Sequence, residues 1–175
     1  MTNKKYFFIG IGGIGMSSIA QYLHEKENTI LGYDASENKS IKILLKKGID
    51  VINSLSLKSI PDYMKKDDVI VVYTPAIPDD NIFLKYFRKN GNNQIYKRSE
   101  ILGEISKQSK CIAVAGTHGK TTTSAIISHL FHSSGIHFKA FIGGIMKCFD
   151  SNFINTGNDY IIVEADEYDR SFLNL

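Results

Sequence analysis

The sequence contains no tryptophan, only three prolines and two cysteines, and no apolar stretch of the length that spans a membrane. A membrane helix needs about 20 consecutive apolar residues, so none is predicted. Cys111 and Cys148 are too few for a disulfide framework and lie at no metal-ligand spacing, which is typical of a reducing compartment. Basic residues are scattered and the formal net charge is only +3, which gives no indication of a nucleic-acid partner. We therefore predict a soluble, cytoplasmic protein.

Short apolar runs alternate with longer segments of helical periodicity along the chain. This alternation predicts βαβ units, and hence an α/β fold with parallel sheets. Strands are predicted over residues 6–11, 29–33, 68–73, 94–96, 111–115, 138–142 and 160–163. Helices are predicted over residues 14–26, 38–47, 79–90, 99–107 and 121–134, with a turn-rich loop over 150–159.

A polar segment, SKQSK at residues 106–110, separates two blocks of this pattern. We predict two α/β domains in tandem, over residues 1–108 and 109–175. The second block holds only three predicted strands and one long helix, too few to cover both faces of a parallel sheet. We therefore expect this domain either to expose apolar surface or to be incomplete, and we interpret it as truncated.

The second block opens with a strand, a glycine-rich turn of sequence GTHGKTT and a helix. Backbone N–H groups of such a turn and of the helix N-terminus point at a bound phosphate, and the helix dipole favours its negative charge. The glycines let the backbone wrap around phosphate oxygens. A lysine there supplies positive charge to the β- and γ-phosphates, and the following threonine hydroxyl is a ligand for Mg²⁺. We predict that ATP binds to Gly116, Thr117, His118, Gly119, Lys120, Thr121 and Thr122.

The turn departs from the usual P-loop pattern G-x-x-x-x-G-K-[ST], which requires glycine where this chain has Val114. One alternative interpretation is a turn without a ligand that carries a surface lysine. The combination of strand, two glycines, lysine and a run of threonines favours the phosphate site, and this part of the chain is predicted to begin a P-loop ATPase domain.

An acidic cluster follows the last predicted strand. Magnesium bound to nucleotide phosphates is commonly held by one or two carboxylates. Glu164 comes directly after strand 160–163 and is the first choice as the Mg²⁺ ligand, with Lys120 and Glu164 as the predicted catalytic residues. Asp166 and Glu167 are second choices, and a solvated acidic loop is the alternative without a metal.

The first block carries a G-x-G-x-x-G turn after its first strand, which predicts a Rossmann-like domain. Glycines at this spacing permit the close approach of a diphosphate. Asp34 ends the second strand, where a carboxylate binds a ribose hydroxyl or another polar group. The motif does not distinguish NAD from another diphosphate nucleotide, and a tight turn without a ligand is a further alternative. We predict that a nucleotide-linked substrate binds to Gly10, Gly12, Gly13, Gly15, Ser17 and Asp34.

Three motifs together resemble the Mur ligases of peptidoglycan synthesis: IGIGGIGMSSIA, AGTHGKTTT and VEADEYDRSFL. They occur in the family's order, and the resemblance extends over the whole chain. Mur ligases have a domain for the UDP-linked substrate, a central ATPase domain and a C-terminal domain. The resemblance implies that this chain corresponds to the first domain and about the first third of the second.

The resemblance implies an ATP-dependent ligase that joins L-alanine to UDP-N-acetylmuramate through an acyl phosphate. By motif position it implies that residues 116–122 bind ATP, that Thr121 and Glu164 hold Mg²⁺, and that the N-terminal glycines and Ser17 meet the UDP diphosphate. Residues 74–76 and Arg98 are further candidates for the sugar end.

Three alternatives accompany this interpretation. The tripeptide-adding branch of the family, which serves cell-wall recycling, shares GTHGKTTT and EADEYD, but the full N-terminal motif and RSFL favour the alanine-adding branch. An NAD-dependent oxidoreductase leaves GTHGKTTT unexplained. The third alternative is a fragment that binds the UDP-sugar without catalysis, because the family's amino-acid site lies beyond the equivalent of Leu175.

Overall fold

The computed structural model describes residues 3–89 and 93–165. The chain forms two compact units, Met1–Arg98 and Ser99–Leu175. This division falls ahead of the domain boundary predicted near residue 108, so that helix α4 (Arg98–Ser106) lies almost wholly in the second unit. The predicted α/β fold class is confirmed, because each unit is built around a sheet of mainly parallel strands.

The first unit is a five-stranded parallel sheet with the strand order β3-β2-β1-β4-β5. In chain order its elements are β1 (Lys5–Ile9), α1 (Ile14–Glu25), β2 (Thr29–Tyr33), α2 (Lys39–Lys46), β3 (Asp50–Ile52), β4 (Val69–Tyr73), α3 (Ile82–Lys89) and β5 (Gln94–Lys97). Strand β4 reads VIVVY and is buried in all but its last residue. A continuous apolar run of this kind is typical of a parallel strand that is covered on both faces.

The core of this unit contains an aromatic cluster contributed by β1 and α3. The ring of Phe7 lies edge-on to that of Phe83 at 5.5 Å and contacts that of Phe87 at 5.1 Å between centroids. All three side chains are fully buried or nearly so. The cluster fixes α3 against the sheet on which the first candidate site is built.

The order of the strands reverses beside β1. The chain proceeds from β1 to β2 and β3 on one side and then returns to β4 on the other. At such a switch point the loops diverge and leave a crevice at the carboxyl ends of the strands, where ligands bind in open α/β sheets. The glycine turn at residues 10–15 follows β1 at this edge.

Strand β3 is missing from the sequence-based prediction. It has only three residues, its side chains are half-buried or exposed, and it pairs with β2 alone at the edge of the sheet. A strand this short carries too little periodicity to be recognised locally, because its position depends on the neighbouring strand.

The second unit is a four-stranded sheet with the order β6-β9-β7-β8. Besides α4 its elements are β6 (Lys110–Val114), α5 (Lys120–Ser133), β7 (Phe138–Met146), β8 (Ser151–Asn155) and β9 (Tyr160–Glu164). Strands β6, β9 and β7 are parallel, whereas β8 runs antiparallel to β7. The buried face includes Phe138, Ile142 and Ile162, against which Ile127 and Phe131 of α5 pack.

The predictions of a loop over 150–159 and of only three strands in this unit are wrong. Residues 151–155 form β8, whose serine and asparagine suggest a turn but are buried in the sheet. The Ser151 hydroxyl donates to the Phe153 carbonyl at 2.8 Å and accepts from the Phe153 N–H at 3.1 Å, so the polar side chain is satisfied locally. Strand β7 also continues past residue 142, through its two glycines, to Met146.

The helices of the structure are short compared with a membrane-spanning helix, which the sequence also did not predict. Over residues 3–89 and 93–165 no helix is both long and apolar enough to cross a bilayer, and α5, the longest of these helices, has 14 residues.

Candidate functional site

The glycine-rich turn at residues 115–119, predicted to bind phosphate, connects β6 to α5. Gly116 and Gly119 have φ values of 141° and 80°, in the region that side-chain-bearing residues rarely adopt. Gly119 is also the N-cap of α5 and provides no side-chain cap. The first turn of a helix leaves its N–H groups without intrahelical partners, so α5 presents donors and a positive dipole end at the turn.

The side chain of Lys120 folds back over this turn. Its ammonium donates a hydrogen bond to the Gly116 carbonyl at 2.6 Å. This contact holds the positive charge inside the turn, on the side where the helix N-terminus already favours an anion. The turn therefore has the donors and the charge that a triphosphate requires.

Glu164 lies next to the turn because of the sheet register. Strand β9 pairs with β6 so that Glu164 stands beside Val114, the last residue of β6. The Thr121 hydroxyl, in the first turn of α5, donates to Glu164 Oε2 at 3.0 Å. The residues predicted to share a metal ion are thus in direct contact.

The chemistry of this pair fits Mg²⁺. Magnesium takes oxygen ligands, keeps several waters and is usually held by one or two carboxylates together with substrate phosphates. Glu164 supplies a carboxylate and Thr121 a hydroxyl beside the glycine-rich turn. In the part of the chain that the structure describes, no three His, Cys, Asp or Glu residues cluster as a metal site. The second-choice ligands Asp166 and Glu167 lie outside the described residues.

Gly143 of β7 is a feature of this site that the sequence analysis missed. Its N–H donates to Glu164 Oε1 at 2.7 Å, so each carboxylate oxygen of Glu164 has a hydrogen-bond partner. The strand predicted over residues 138–142 ends just before the glycine pair at 143–144. Adjacent glycines within an apolar strand indicate a close approach of the backbone to another group, and this was the available signal.

An apolar groove of about 460 Å³ lies beside the turn, between α5 and β7. Thr121 lies at the groove, whose walls include Ile126, Leu130 and Met146. Ile126 and Leu130 are 55% and 57% exposed, which is unusual for large apolar side chains on one helix face. Both side chains belong to α5 of the second unit.

The glycine turn of the first unit is held by side chains from the loop between β2 and α2. The Gly12 N–H donates to Asp34 Oδ2 at 2.8 Å, and the Gly12 carbonyl accepts from Asn38 Nδ2 at 3.2 Å. The other carboxylate oxygen of Asp34 accepts from the N–H and hydroxyl of Ser36 at 2.9 and 2.6 Å. Asp34, predicted to face a ligand, therefore supports the turn through Oδ2, while its Oδ1 is bonded to Ser36 of its own loop.

Ser17 has a local partner as well. It is fully buried, and its hydroxyl donates to the Ile14 carbonyl at 2.9 Å within the first turn of α1. Its predicted contact with a diphosphate would require this hydroxyl to turn away from the helix. Gly13, the N-cap of α1, is by contrast exposed at the carboxyl edge of the sheet.

Arg98 lies against the N-terminal turn of α1. A Cβ built on Gly15 would stand 2.5 Å from Arg98 Nη1, so a glycine is needed for the guanidinium to approach this closely. Over Gly10, a Cβ would meet Ile77 and Thr74 at 3.2 and 3.5 Å, which shows that the turn after β4 packs against the glycine loop. The positive end of the α1 dipole and the Arg98 guanidinium thus lie at the same edge of the first unit.

The fold is that of α/β proteins with mainly parallel sheets, and each unit carries a glycine turn between a strand and a helix. Residues 5–110 match the Mur ligase family, catalytic domain, which is more than half of the chain. The chain belongs to the Mur ligase family, as its three motifs predicted.

The similar proteins are longer than this chain. A UDP-N-acetylmuramate–L-alanine ligase of Porphyromonas gingivalis is 47% identical over 174 residues, which cover 98% of this chain and 38% of that protein. The corresponding ligase of Cytophaga hutchinsonii is 44% identical, and the match covers 97% of this chain and 37% of that protein. The chain thus spans less than two fifths of the length of these curated relatives.

Two solved structures have the same fold. The UDP-N-acetylmuramate–alanine ligase of Thermotoga maritima superposes with a TM-score of 0.82 at 30% identity, over 91% of this chain and 37% of that one. The UDP-N-acetylmuramate:L-alanyl-γ-D-glutamyl-meso-diaminopimelate ligase of Neisseria meningitides superposes with a TM-score of 0.84 at 25% identity. The superposition covers 97% of this chain and 54% of that one.

Proposed function

We propose that this chain carries the substrate-binding unit and the front of the ATP-binding unit of a ligase that joins L-alanine to UDP-N-acetylmuramate in peptidoglycan precursor synthesis. The observation that carries the proposal is the contact between the Thr121 hydroxyl and Glu164 at the mouth of the phosphate turn. The identity of 47% to a ligase with this reaction in its name supports the choice of substrates.

In this proposal residues 116–122 bind the triphosphate of ATP. The turn's N–H groups and the N-terminus of α5 receive the phosphate oxygens, and the Lys120 ammonium exchanges the Gly116 carbonyl for the β- and γ-phosphates. Thr121 and Glu164 hold Mg²⁺, which supplies charge neutralisation to the phosphates. His118 is exposed on the same turn and can contact the nucleotide.

The reaction proposed is phosphoryl transfer followed by acyl transfer. A carboxylate oxygen of the muramoyl group attacks the γ-phosphorus and ADP leaves. The amine of L-alanine then attacks the acyl carbon, and the tetrahedral intermediate expels phosphate and loses a proton to give the amide. The task of Lys120 is to orient the phosphates and neutralise the charge that develops on them.

The UDP-linked substrate is assigned to the first unit, Met1–Arg98. Its diphosphate occupies the positive edge formed by Gly10, Gly12, Gly13, Gly15 and Arg98, where the N-terminus of α1 supplies N–H donors. Asp34 keeps the turn in shape, and Ser17 is a further donor if its hydroxyl leaves the Ile14 carbonyl. Because peptidoglycan precursors of this kind are water-soluble nucleotides, we place the reaction in the cytoplasm.

The second candidate is a tripeptide ligase of cell-wall recycling. It is supported by the Neisseria structure, which superposes over 97% of this chain. The two candidates share the sugar nucleotide and ATP, and they differ in the amine that is joined.

Isothermal titration calorimetry with the 175-residue chain tests the proposal. UDP-N-acetylmuramate, UDP, NAD and Mg-ATP are titrated separately. We expect saturable binding of UDP-N-acetylmuramate and of Mg-ATP, with weaker binding of UDP and none of NAD. Tight NAD binding without a response to the UDP-sugar would contradict the ligase proposal. Binding of the UDP-sugar without phosphate release on addition of L-alanine identifies the chain as a binding fragment, and release with the tripeptide alone supports the recycling enzyme.

A further inference from the structure

Gly143 occupies an irregular stretch of strand β7. Pairing of β7 with β9 is parallel and regular up to Phe141 beside Val163. On its other side, pairing with β8 shifts register between Phe141 and Met146. Irregularities of this kind release backbone groups from the ladder and re-aim them. The released N–H of Gly143 donates to Glu164 Oε1 at 2.7 Å.

Glycine at this position is required by space and not by backbone conformation. The φ of Gly143 lies outside the left-handed region, so a residue with a side chain can adopt this conformation. A Cβ at Gly143 would nevertheless stand 2.6 Å from Glu164 Oε2 and 3.0 Å from the Thr121 hydroxyl. Real Cβ atoms do not approach other atoms to 2.6 Å, so the Glu164 carboxylate would have to leave the position in which it contacts Thr121.

We propose that Gly143 is a positioning residue of the Thr121–Glu164 metal site. Its N–H holds Oε1 of Glu164, and its missing side chain leaves the space in which Oε2 meets Thr121. The inference rests on the proposed function, since the site it serves is the proposed Mg²⁺-nucleotide site. An outer partner that orients a metal-binding carboxylate typically changes metal affinity by about 10–100-fold.

The hydrogen bond is tested first, without metal or nucleotide. The amide proton of Gly143 is assigned by NMR in the 175-residue chain and in Glu164→Gln, which keeps the size of the side chain and removes its charge. A hydrogen bond to a carboxylate shifts an amide proton downfield, so we expect an upfield movement in Glu164→Gln. An unchanged Gly143 resonance would overturn the inference, whatever the chain binds.

The effect on the metal is tested by titrating ATP with and without Mn²⁺, used as a spectroscopic substitute for Mg²⁺. In Gly143→Ala we expect the gain in ATP affinity due to Mn²⁺ to fall by about tenfold or more, with metal-free ATP affinity unchanged. The matched control is Gly144→Ala, whose Cβ would meet only the Thr121 methyl at 3.1 Å. In Gly144→Ala the gain in ATP affinity due to Mn²⁺ should fall by less than in Gly143→Ala. Circular dichroism establishes that each variant is folded.

A second substitution separates positioning from general damage. Glu164→Asp shortens the side chain and withdraws the carboxylate from an introduced Cβ. Gly143→Ala combined with Glu164→Asp should therefore bind Mn²⁺-ATP better than Gly143→Ala alone. Additive losses, or an equal loss of metal-free ATP binding, would overturn the inference. If the wild-type chain shows no effect of Mn²⁺ on ATP affinity, the proposed function fails at this site and the inference fails with it, although the NMR shift would still report the hydrogen bond.

Discussion

Replacement of Asp34 by alanine distinguishes a residue that supports the glycine turn from one that binds the substrate directly. The variant removes the acceptor of the buried Gly12 N–H, which lies 2.8 Å from Oδ2. A hydrogen bond to a charged acceptor contributes about 1.5–3 kcal/mol. The two exposed bonds from Ser36 together contribute about 0.5–1 kcal/mol more. We expect Asp34→Ala to destabilise the first unit by about 2–4 kcal/mol, against a typical total of about 5–15 kcal/mol.

The measurement is urea unfolding followed by the amide resonances of β1 and β4, because the chain has no tryptophan and these strands report the first unit alone. Glu37→Ala is the matched control, since it removes an exposed carboxylate from the same loop. Binding of UDP-N-acetylmuramate is measured in parallel by calorimetry. If Asp34→Ala were as stable as Glu37→Ala and yet lost all binding, Asp34 would be a direct ligand, and our account of the turn would be refuted.

Two further perturbations test the first unit. In Gly15→Ala the added methyl should displace the flexible Arg98 side chain, with little loss of stability. We expect the affinity for UDP-N-acetylmuramate to fall by about tenfold, or about 1.4 kcal/mol. An unchanged affinity in calorimetry would show that Arg98 is not part of the site. The hydrogen bond from the Lys5 ammonium to Asp68, at 2.7 Å, holds the pKa of that carboxyl below its ordinary value. Because the folded pKa is the lower one, the pair's contribution is complete above the unfolded pKa and is lost as the pH falls through the folded pKa. An NMR titration of Asp68 should show its pKa rising in Lys5→Ala, and an unmoved pKa would contradict the pairing.

The parts of the fold that were predictable from sequence are those with a local signal. The apolar run 68–73 predicted β4, and the order of strand, glycine turn and helix predicted both candidate sites. Strand β8 was missed because Ser151 and Asn152 are residue types typical of a turn, although pairing with β7 buries both in the sheet. A local sequence pattern identifies a helix or strand when the residues of that segment themselves favour the structure. The pattern fails when the segment becomes a strand only by pairing with another strand.

The same distinction applies to the sites. The position of Glu164 after a strand was sufficient to predict its place beside Thr121, because parallel strands end at one edge of a sheet. The supporting role of Asp34 depends on a hydrogen bond to Gly12, which is 22 positions away in the chain. The contact of Gly143 with Glu164 likewise joins two residues that are 21 positions apart. A carboxylate at the end of a strand looks the same in sequence whether it meets a ribose or a backbone N–H.

The central claim is that the chain has two separate nucleotide sites, with Lys120 serving only the ATP site. Calorimetry of wild type, Lys120→Ala and the exposed control Lys147→Ala, each titrated with Mg-ATP and with UDP-N-acetylmuramate, tests it most directly. We predict that Lys120→Ala abolishes ATP binding and leaves the affinity for the UDP-sugar unchanged, while Lys147→Ala affects neither. If Lys120→Ala, in a folded protein, lost affinity for Mg-ATP and for UDP-N-acetylmuramate equally, the claim that the two ligands bind to separate sites in the two units would be contradicted.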